Sequence, residues 1–188
     1  MTLAEDLRGA WSLRVDSHGE SAATLPEQAC ALSDVTVPAI VPGSVHVDLM
    51  NDGRLADPFL DDNELAVAWV GRTDWVYSRE VAWTGPDHER IDLVFEGLDT
   101  AAGIDIGGVA VGTTRNMHRT YRYDVTALVD ATSRPLQVRF TSAYTEAERV
   151  RDTLGQRPNA YPEPFQFIRK MACSFGWDWG PTLVTAGI

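Results

Sequence analysis

A short segment near the end of the sequence places one carboxylate between two indole rings. It reads Gly176-Trp177-Asp178-Trp179-Gly180. An aromatic ring can cover the apolar C–H face of a pyranose, and a carboxylate accepts strong hydrogen bonds from sugar hydroxyl groups. The two glycines allow the backbone to bend or to approach a ligand closely. The segment therefore predicts a sugar-binding surface in which Asp178 binds the hydroxyl groups.

The same residues also admit a purely structural interpretation. Both tryptophans would then belong to the core, and Asp178 would cap a turn, as aspartate commonly does beside glycine. Just upstream, Arg169 and Lys170 point to opposite faces of an extended chain, so at most one of them lines the surface of Asp178. The other is expected to be solvated or paired. An ion pair between Arg169 and Asp178 is the structural alternative.

No set of residues in the sequence makes a complete catalytic arrangement. Retaining glycosidases need two carboxyl groups about 5–5.5 Å apart, and the sequence singles out no such pair. Asp61, Asp62 and Glu64 are clustered, but a run of charges is typical of a solvated loop. The sequence has no Gly-x-Ser-x-Gly turn, and Ser44 with His46 does not make a catalytic dyad. The residues alone thus predict no catalytic centre within the chain.

The candidate metal ligands lack the spacing of a zinc site. The four histidines are His18, His46, His88 and His118. They stand singly along the chain, so we predict neither a structural zinc nor another cofactor. A calcium site built from loop carboxylates and carbonyls stays open, because such sites in sandwiches have no fixed spacing. Cys30 and Cys173 are predicted to be free, buried thiols.

The charge balance narrows the classes of partner. The chain has 27 acidic and 16 basic residues, which gives a formal net charge of −11. A negative surface repels phosphate backbones and anionic lipid headgroups, so we expect neither nucleic-acid nor membrane partners, whereas neutral sugars are not repelled. The first nine residues include Glu5, Asp6 and Arg8 and do not read as a signal peptide. A cytoplasmic location is the expectation.

The pattern of short apolar segments predicts an antiparallel sandwich to carry this surface. With 188 residues and 44% apolar composition, the chain fits one domain with a substantial core. Segments rich in β-branched and aromatic residues recur between turn signals. The predicted strands are 11–15, 75–83, 90–95, 103–111, 120–123, 136–141, 165–175 and 182–188.

Turn and helix signals complete the predicted layout. Gly107-Gly108 lies between two apolar runs and predicts a tight hairpin, because both glycines accept positive φ. Surface helices are predicted over 44–50, with Ser44 as N-cap, and over 143–154. The proline-containing segments 38–42 and 158–164 are predicted to be ordered loops.

Short blocks along almost the whole chain occur in a recognisable order. They lie at 41–46 with Asp48-Leu49, at 57–59 with Asn63-Glu64, and at 74–77, 95–100, 116–119, 168–170 and 176–181. In this order the chain resembles the N-terminal domain of the β-mannosidases of glycoside hydrolase family two. Related galactosidases and glucuronidases share the Gly-Leu-Asp-Thr type of block. Trp-Asp-Trp-Gly-Pro preceded by Arg-Lys is similar to the mannosidase branch in particular.

The resemblance implies an all-β fold: a jelly-roll or galactose-binding-like β-sandwich of antiparallel strands with one or two short surface helices. It implies that residues 1–188 are one domain, the leading part of a longer retaining, exo-acting β-mannosidase. That enzyme would hydrolyse terminal β-D-mannose from a β-mannoside or manno-oligosaccharide. An immunoglobulin-like domain and a TIM barrel would follow, and both catalytic glutamates would lie beyond Ile188. The chain alone is then expected to be inactive.

The resemblance also assigns roles to the candidate site residues. It implies that the Trp-Asp-Trp loop reaches the mouth of the barrel, where Asp178 contacts mannose hydroxyl groups and Trp177 and Trp179 shape the pocket wall. Arg169 and Lys170 are further candidates for substrate binding. The sandwich of this family usually continues past the Gly-Ile pair at 187–188, so an unpaired strand edge is expected.

Two other function classes remain to be distinguished from an enzyme domain. A free-standing carbohydrate-binding module or lectin would bind sugar by itself. A scaffold between domains would show neither hydrolysis nor sugar affinity.

Overall fold

The computed structural model describes residues 4–159 and 161–188, and most of their regular structure is antiparallel β-sheet. The strands are β1 (Gly9–Val15), β2 (Val37–Val41), β3 (Trp75–Val81), β4 (Asp92–Phe95), β5 (Ala101–Ile106), β6 (Val109–Arg115), β7 (Tyr121–Asp124) and β8 (Arg134–Phe140). Six of them form a sheet in the order β2-β1-β3-β8-β5-β6, and β4 pairs with β7 in a second sheet.

In the described residues, four short α-helices and four 3-10 turns lie between the strands or after the last of them. The helices are α1 (Glu27–Cys30), α2 (Val45–Asn51), α3 (Asn63–Val67) and α4 (Ala143–Leu154). The 3-10 turns are Ala22–Thr24, Ala68–Arg72, Phe165–Phe167 and Ala172–Phe175. No helix in the part of the chain that the structure describes is long and apolar enough to cross a membrane.

The core forms because the strands alternate apolar and polar side chains. In β1, Trp11, Leu13 and Val15 are buried while the residues between them are not. This period of two places one face of the strand in the core and the other outside. Tyr77 and Phe140, on the neighbouring strands β3 and β8, meet edge to face with ring centroids 5.9 Å apart. The sheet thereby gives a rigid platform to the loops at its ends.

Several predictions of local structure are confirmed. Gly107 and Gly108 form the turn between β5 and β6 with φ of +59° and +81°. Helix α4 coincides with the predicted 143–154. Helix α2 also lies where a helix was predicted and begins directly after Ser44, but the Ser44 side chain makes no capping hydrogen bond, and four of the seven α2 residues are buried, so α2 is not a surface helix. Ser142 caps α4, since its side chain accepts a hydrogen bond from the Thr145 amide. The all-β antiparallel fold class is likewise confirmed.

Two predicted strands at the end of the chain are wrong. Segment 165–175 contains two 3-10 turns, and in 182–188 the backbone makes one isolated bridge, from Gly187 to Asp99. Several apolar side chains of these segments, namely Phe167, Ile168, Phe175 and Val184, pack together with α4, while Leu183, Ala186 and Ile188 pack against the main core. The region also contains Pro164 and Pro181, whose backbone nitrogens cannot donate hydrogen bonds to a neighbouring strand.

The predicted loop at 38–42 is also wrong, because residues 37–41 form β2. Its burial alternates, with Val37, Ala39 and Val41 facing inward. Pro38 is tolerated because β2 is an edge strand, where one side of the backbone needs no partner. The described part of 158–164 has neither helix nor strand, as predicted; Ala160 in that loop, and residues 1–3 of the segment examined for a signal peptide, lie outside the described residues.

The prediction of buried thiols needs a correction too. Cys30 and Cys173 are free, as expected, but both are exposed. Cys30 ends the short helix α1, and Cys173 lies in a 3-10 turn. Neither element is part of the two sheets that enclose the main core, which accounts for the exposure.

The carboxylate of Asp74 ties two separate segments to the start of β3. Its Oδ1 accepts hydrogen bonds from the Ser21 hydroxyl at 2.7 Å and the Ser142 amide at 2.6 Å. Its Oδ2 accepts one from the Ser21 amide at 2.8 Å. Asp74, Ser21 and Ser142 are all buried, so water cannot take the place of the Asp74 carboxylate as the acceptor for these donors. The turn after β1 and the N-terminus of α4 therefore depend on this one side chain.

We expect Asp74→Ala to lower the free energy of unfolding by about 3 kcal/mol, because each buried donor left without a partner costs about 1–3 kcal/mol. Asp74→Asn, which keeps an acceptor oxygen, should lose less. Urea unfolding followed by circular dichroism measures both changes, with the exposed Asp87→Ala as the control. Equal midpoints for Asp74→Ala and Asp87→Ala would contradict the assignment.

Candidate functional site

Residues 171–184 form a loop that carries the two indoles and the carboxylate at its tip. The 3-10 turn Ala172–Phe175 leads to Gly176, whose φ of +119° reverses the chain. A tight turn follows, in which the Gly180 amide donates to the Trp177 carbonyl at 3.3 Å. Asp178 and Trp179 occupy the two central positions of this turn. The backbone therefore bends at the tip, as the flanking glycines allow.

The side chains of the tip face solvent. Trp177 is 56% exposed and Trp179 82% exposed, and Asp178 between them is exposed as well. The two indoles meet edge to face, with centroids 5.1 Å apart and planes at 81°. The interpretation of both tryptophans as core residues is thus wrong. Large exposed aromatic side chains on a polar surface mark interaction sites.

The sides of the loop are held more firmly than its tip. Phe175 is buried and packs edge to face on Tyr144 of α4, with ring centroids 5.3 Å apart. Val184 is buried at the other side. The Thr182 amide donates to Glu64 Oε2 at 3.3 Å, which joins the loop to α3. Glu64, predicted to lie in a solvated loop, is thus half-buried against the candidate site.

A polar cluster around the buried side chain of Lys170 closes the base of the loop. Lys170 Nζ lies 2.6 and 2.5 Å from the two carboxylate oxygens of Asp99, and 2.9 Å from both the carbonyl oxygen and Oγ1 of Thr185. The Thr185 hydroxyl donates in turn to Asp99 Oδ2 at 2.6 Å. Asp99, Lys170 and Thr185, called the loop base below, join the two ends of the loop to the segment that precedes β5.

The backbone beyond the loop base continues the same attachment. Asp99 and Gly187 exchange backbone hydrogen bonds of 3.0 and 3.2 Å, and the Gly43 amide donates to the Ile188 carbonyl at 2.9 Å. A Cβ at Gly187 would lie 2.2 Å from the Gly43 carbonyl oxygen. Only glycine therefore lets the chain pass between these two segments.

Burial governs the protonation of the cluster. Loss of hydration lowers the pKa of Lys170, although the carboxylate of Asp99 opposes this shift. Nearby, His46 of α2 is 4% exposed, and its Nδ1 has no hydrogen-bond partner among the described residues. Burial, with a smaller contribution from the charge of Lys170, lowers the pKa of His46 to about 4. His46 is therefore neutral at pH 7 and serves the packing of α2 beneath the loop base.

This shift predicts an acid-sensitive contribution to stability. Between pH 6.5 and about 4 the unfolded chain binds a proton at His46 that the folded chain does not, so stability falls as the pH is lowered. The loss from this group amounts to about 3 kcal/mol at 1.36 kcal/mol per unit of pKa. Urea unfolding of the wild type and His46→Gln at pH 7 and pH 4 should show a smaller loss in the variant.

The exposed His18→Gln provides the matched control for this measurement, since it removes a histidine that water can reach. Its loss of stability on acidification should equal that of the wild type. An equally steep loss in His46→Gln would exclude His46 as the source.

The structure brings together some of the sequence-predicted site residues and separates others. Trp177, Asp178 and Trp179 share the tip, and Arg169 is exposed before the loop begins. No ion pair joins Arg169 to Asp178 within residues 4–159 and 161–188. Lys170, proposed from sequence as a substrate contact, has a side chain with 0% exposure that points into the loop base. Of Arg169 and Lys170, it is therefore Lys170 that is ion-paired, with Asp99.

Sequence reasoning did not assign a role in the site to Asp99, Thr185 or His46. One signal was available: Arg169 and Lys170 together stand between the apolar residues Ile168 and Met171, and a lysine that becomes buried needs a carboxylate. The sequence has 27 acidic residues, so that signal alone did not select Asp99. In the described part of the chain, no group of three or more His, Cys, Asp or Glu side chains is placed to hold a metal ion.

A family model described as glycosyl hydrolase 2 galactose-binding domain-like matches residues 11–188. The chain belongs to this family. Among curated relatives of this galactose-binding-like domain, the "Beta-mannosidase" of Capra hircus is 39% identical over 163 residues, covering 81% of the chain and 18% of the relative. The "Beta-mannosidase" of Rattus norvegicus is 36% identical over 194 residues, covering 97% of the chain and 20% of the relative.

A solved structure supports the same assignment. The crystal structure of the beta-D-mannosidase from Dictyoglomus thermophilum superposes with a TM-score of 0.82 at 34% identity, covering 96% of this chain and 21% of that one. The galactose-binding-like fold and the resemblance to the mannosidase branch are thereby confirmed. The galactose-binding-like domain described here spans about a fifth of the length of the relatives it matches.

Proposed function

We propose that this chain is the N-terminal domain of a longer, retaining and exo-acting β-mannosidase, and that its exposed Trp-Asp-Trp tip forms part of the sugar pocket. The enzyme hydrolyses terminal β-D-mannose residues of β-mannosides or manno-oligosaccharides. The observation that carries the proposal is the pair of exposed indoles that flank Asp178 on a loop anchored at both ends. The relatives named beta-mannosidase, which match almost the whole chain, support the substrate class.

The tip has the chemistry to hold a sugar ring. The carboxylate of Asp178 accepts hydrogen bonds from mannose hydroxyl groups, and charge-assisted bonds of this kind are about twice as strong as neutral ones. The indole of Trp177 or Trp179 covers the C–H face of the ring. Binding energy at hydroxyl groups away from the scissile bond holds and distorts the ring at the reacting carbon, which raises the rate of bond cleavage.

The cleaving residues themselves belong to other parts of the proposed enzyme. In this proposal an immunoglobulin-like domain and a TIM barrel follow the present chain, and the barrel supplies the acid/base and nucleophile glutamates. The exposed tip then lies against the mouth of the barrel. The relatives, about five times as long as the matched segment, support this division of labour.

A free-standing carbohydrate-binding module is the second candidate. The exposure of Trp179 favours it, since an accessible indole can bind a sugar without help from another domain. The two candidates differ in what the 188-residue chain does alone. A module binds sugar by itself, whereas half of an enzyme pocket binds it weakly.

The decisive experiment is β-mannoside hydrolysis by the full-length enzyme with Asp178→Ala. We expect kcat/KM to fall about a hundredfold, because loss of one or two hydrogen bonds to a charged group costs about 1.5–3 kcal/mol each. Asp152→Ala, which removes an exposed carboxylate on α4, should leave kcat/KM unchanged. The 188-residue chain alone should hydrolyse nothing.

Unchanged kinetics in a folded Asp178→Ala enzyme would reject the proposed pocket. Millimolar or tighter mannose binding by the 188-residue chain, measured by calorimetry and lost in Asp178→Ala, would favour the module instead.

A further inference from the structure

We propose that the loop base, formed by Asp99, Lys170 and Thr185, sets the position of the Trp-Asp-Trp tip and so controls sugar binding without touching the sugar. This inference rests on the proposed function and extends it to residues outside the pocket. It also gives Lys170 a different role from the substrate contact expected from sequence.

The side chain of Lys170 cannot reach a ligand in solution. Its side chain has 0% exposure, and four acceptor atoms of Asp99 and Thr185 surround its ammonium group within 2.9 Å. Any effect of Lys170 on a sugar at the tip must therefore pass through the loop that it anchors.

The loop base fixes both ends of the loop to one point of the sandwich. Lys170 and Thr185 are 15 residues apart in sequence, yet both bind the Asp99 carboxylate. Asp99 lies two residues before β5 begins, and its backbone is held by hydrogen bonds to Gly187. The loop between them thus starts and ends at a place that the main sheet defines.

The tip of the loop has fewer restraints of its own than the base. Beyond the buried Phe175 and Val184, residues 177–180 are exposed and are held by a single turn hydrogen bond of 3.3 Å. Small displacements of a positioning group are costly in catalysis, and a shift of about 1 Å can reduce the rate a hundredfold. The placement of Asp178 therefore depends on where the loop base holds the two ends.

Thr185 offers the cleanest test of this proposal. Its hydroxyl accepts from Lys170 Nζ at 2.9 Å and donates to Asp99 Oδ2 at 2.6 Å. Valine has nearly the same shape but makes neither bond, whereas serine keeps the hydroxyl. Thr126 is a matched control, because its hydroxyl also accepts one hydrogen bond, from the Ile91 amide at 2.8 Å, and donates one to a carboxylate, Asp124 Oδ1, at 2.6 Å.

The experiment compares Thr185→Val, Thr185→Ser and Thr126→Val in the full-length enzyme. We expect kcat/KM for a β-mannoside to fall at least tenfold in Thr185→Val and to stay within threefold of the wild type in the other two. Hydrogen–deuterium exchange of the same proteins without substrate gives an independent readout. Amides of residues 176–182 should exchange faster in Thr185→Val only, while those of β1, β3 and β8 keep the wild-type rate.

The outcomes separate this inference from the proposed function. If activity is lost in Asp178→Ala but normal in Thr185→Val, with unchanged exchange at 176–182, the positioning role of the loop base is rejected and the proposed sugar pocket is retained. Equal losses in Thr185→Val and Thr185→Ser, or faster exchange throughout the sandwich, reject the positioning role as well. Absence of β-mannoside hydrolysis in the wild type rejects the proposed function, and the exchange data then decide the positioning role alone.

Discussion

The ammonium group of Lys170 lies inside the protein, and a charge removed from water needs an opposite charge within hydrogen-bond distance. Asp99 supplies it, and Thr185 fills the remaining positions around the nitrogen. Because these three residues come from distant parts of the chain, satisfying one buried charge also determines where two backbone segments leave the sandwich. The loop with the exposed indoles is a consequence of that arrangement.

The molecule divides rigidity and access between its parts. Alternating strands such as β1 bury one face and give a well-packed sheet, while the residues of the turn at 177–180 are exposed. A sugar site needs both properties, since the binding groups must be reachable and yet must not move when the ligand arrives. Anchoring at the base, with Phe175 and Val184 along the sides, provides this combination. The acidic surface does not oppose it, because a neutral sugar carries no charge to repel.

Features that depend on neighbouring residues could be predicted from sequence, and features that depend on distant ones could not. The strand at 11–15 and the Gly107-Gly108 turn depend on local residues, and both were predicted. The edge strand β2 was not, because Pro38 signals a loop unless the strand is known to lie at an edge. Apolar residues at 165–175 suggested a strand, but periodicity cannot tell a sheet partner from helix α4, on which they pack.

The candidate site shows the same division. The chemistry of Trp177, Asp178 and Trp179 was evident from their side chains, whereas the burial of Lys170 required the whole fold. Nothing in the composition near residue 170 indicates which carboxylate it meets, since Asp99 lies 71 residues earlier.

The sequence separations within the loop base bear on the kinetics of folding. Asp99 lies 71 residues from Lys170 and 86 from Thr185, so their contacts close long loops, and closing a long loop has a higher entropic cost than forming a local hairpin such as β5–β6. Contacts that form after the transition state affect the unfolding rate far more than the folding rate. We therefore expect the loop base to slow the unfolding of the domain more than it speeds the assembly of the sandwich.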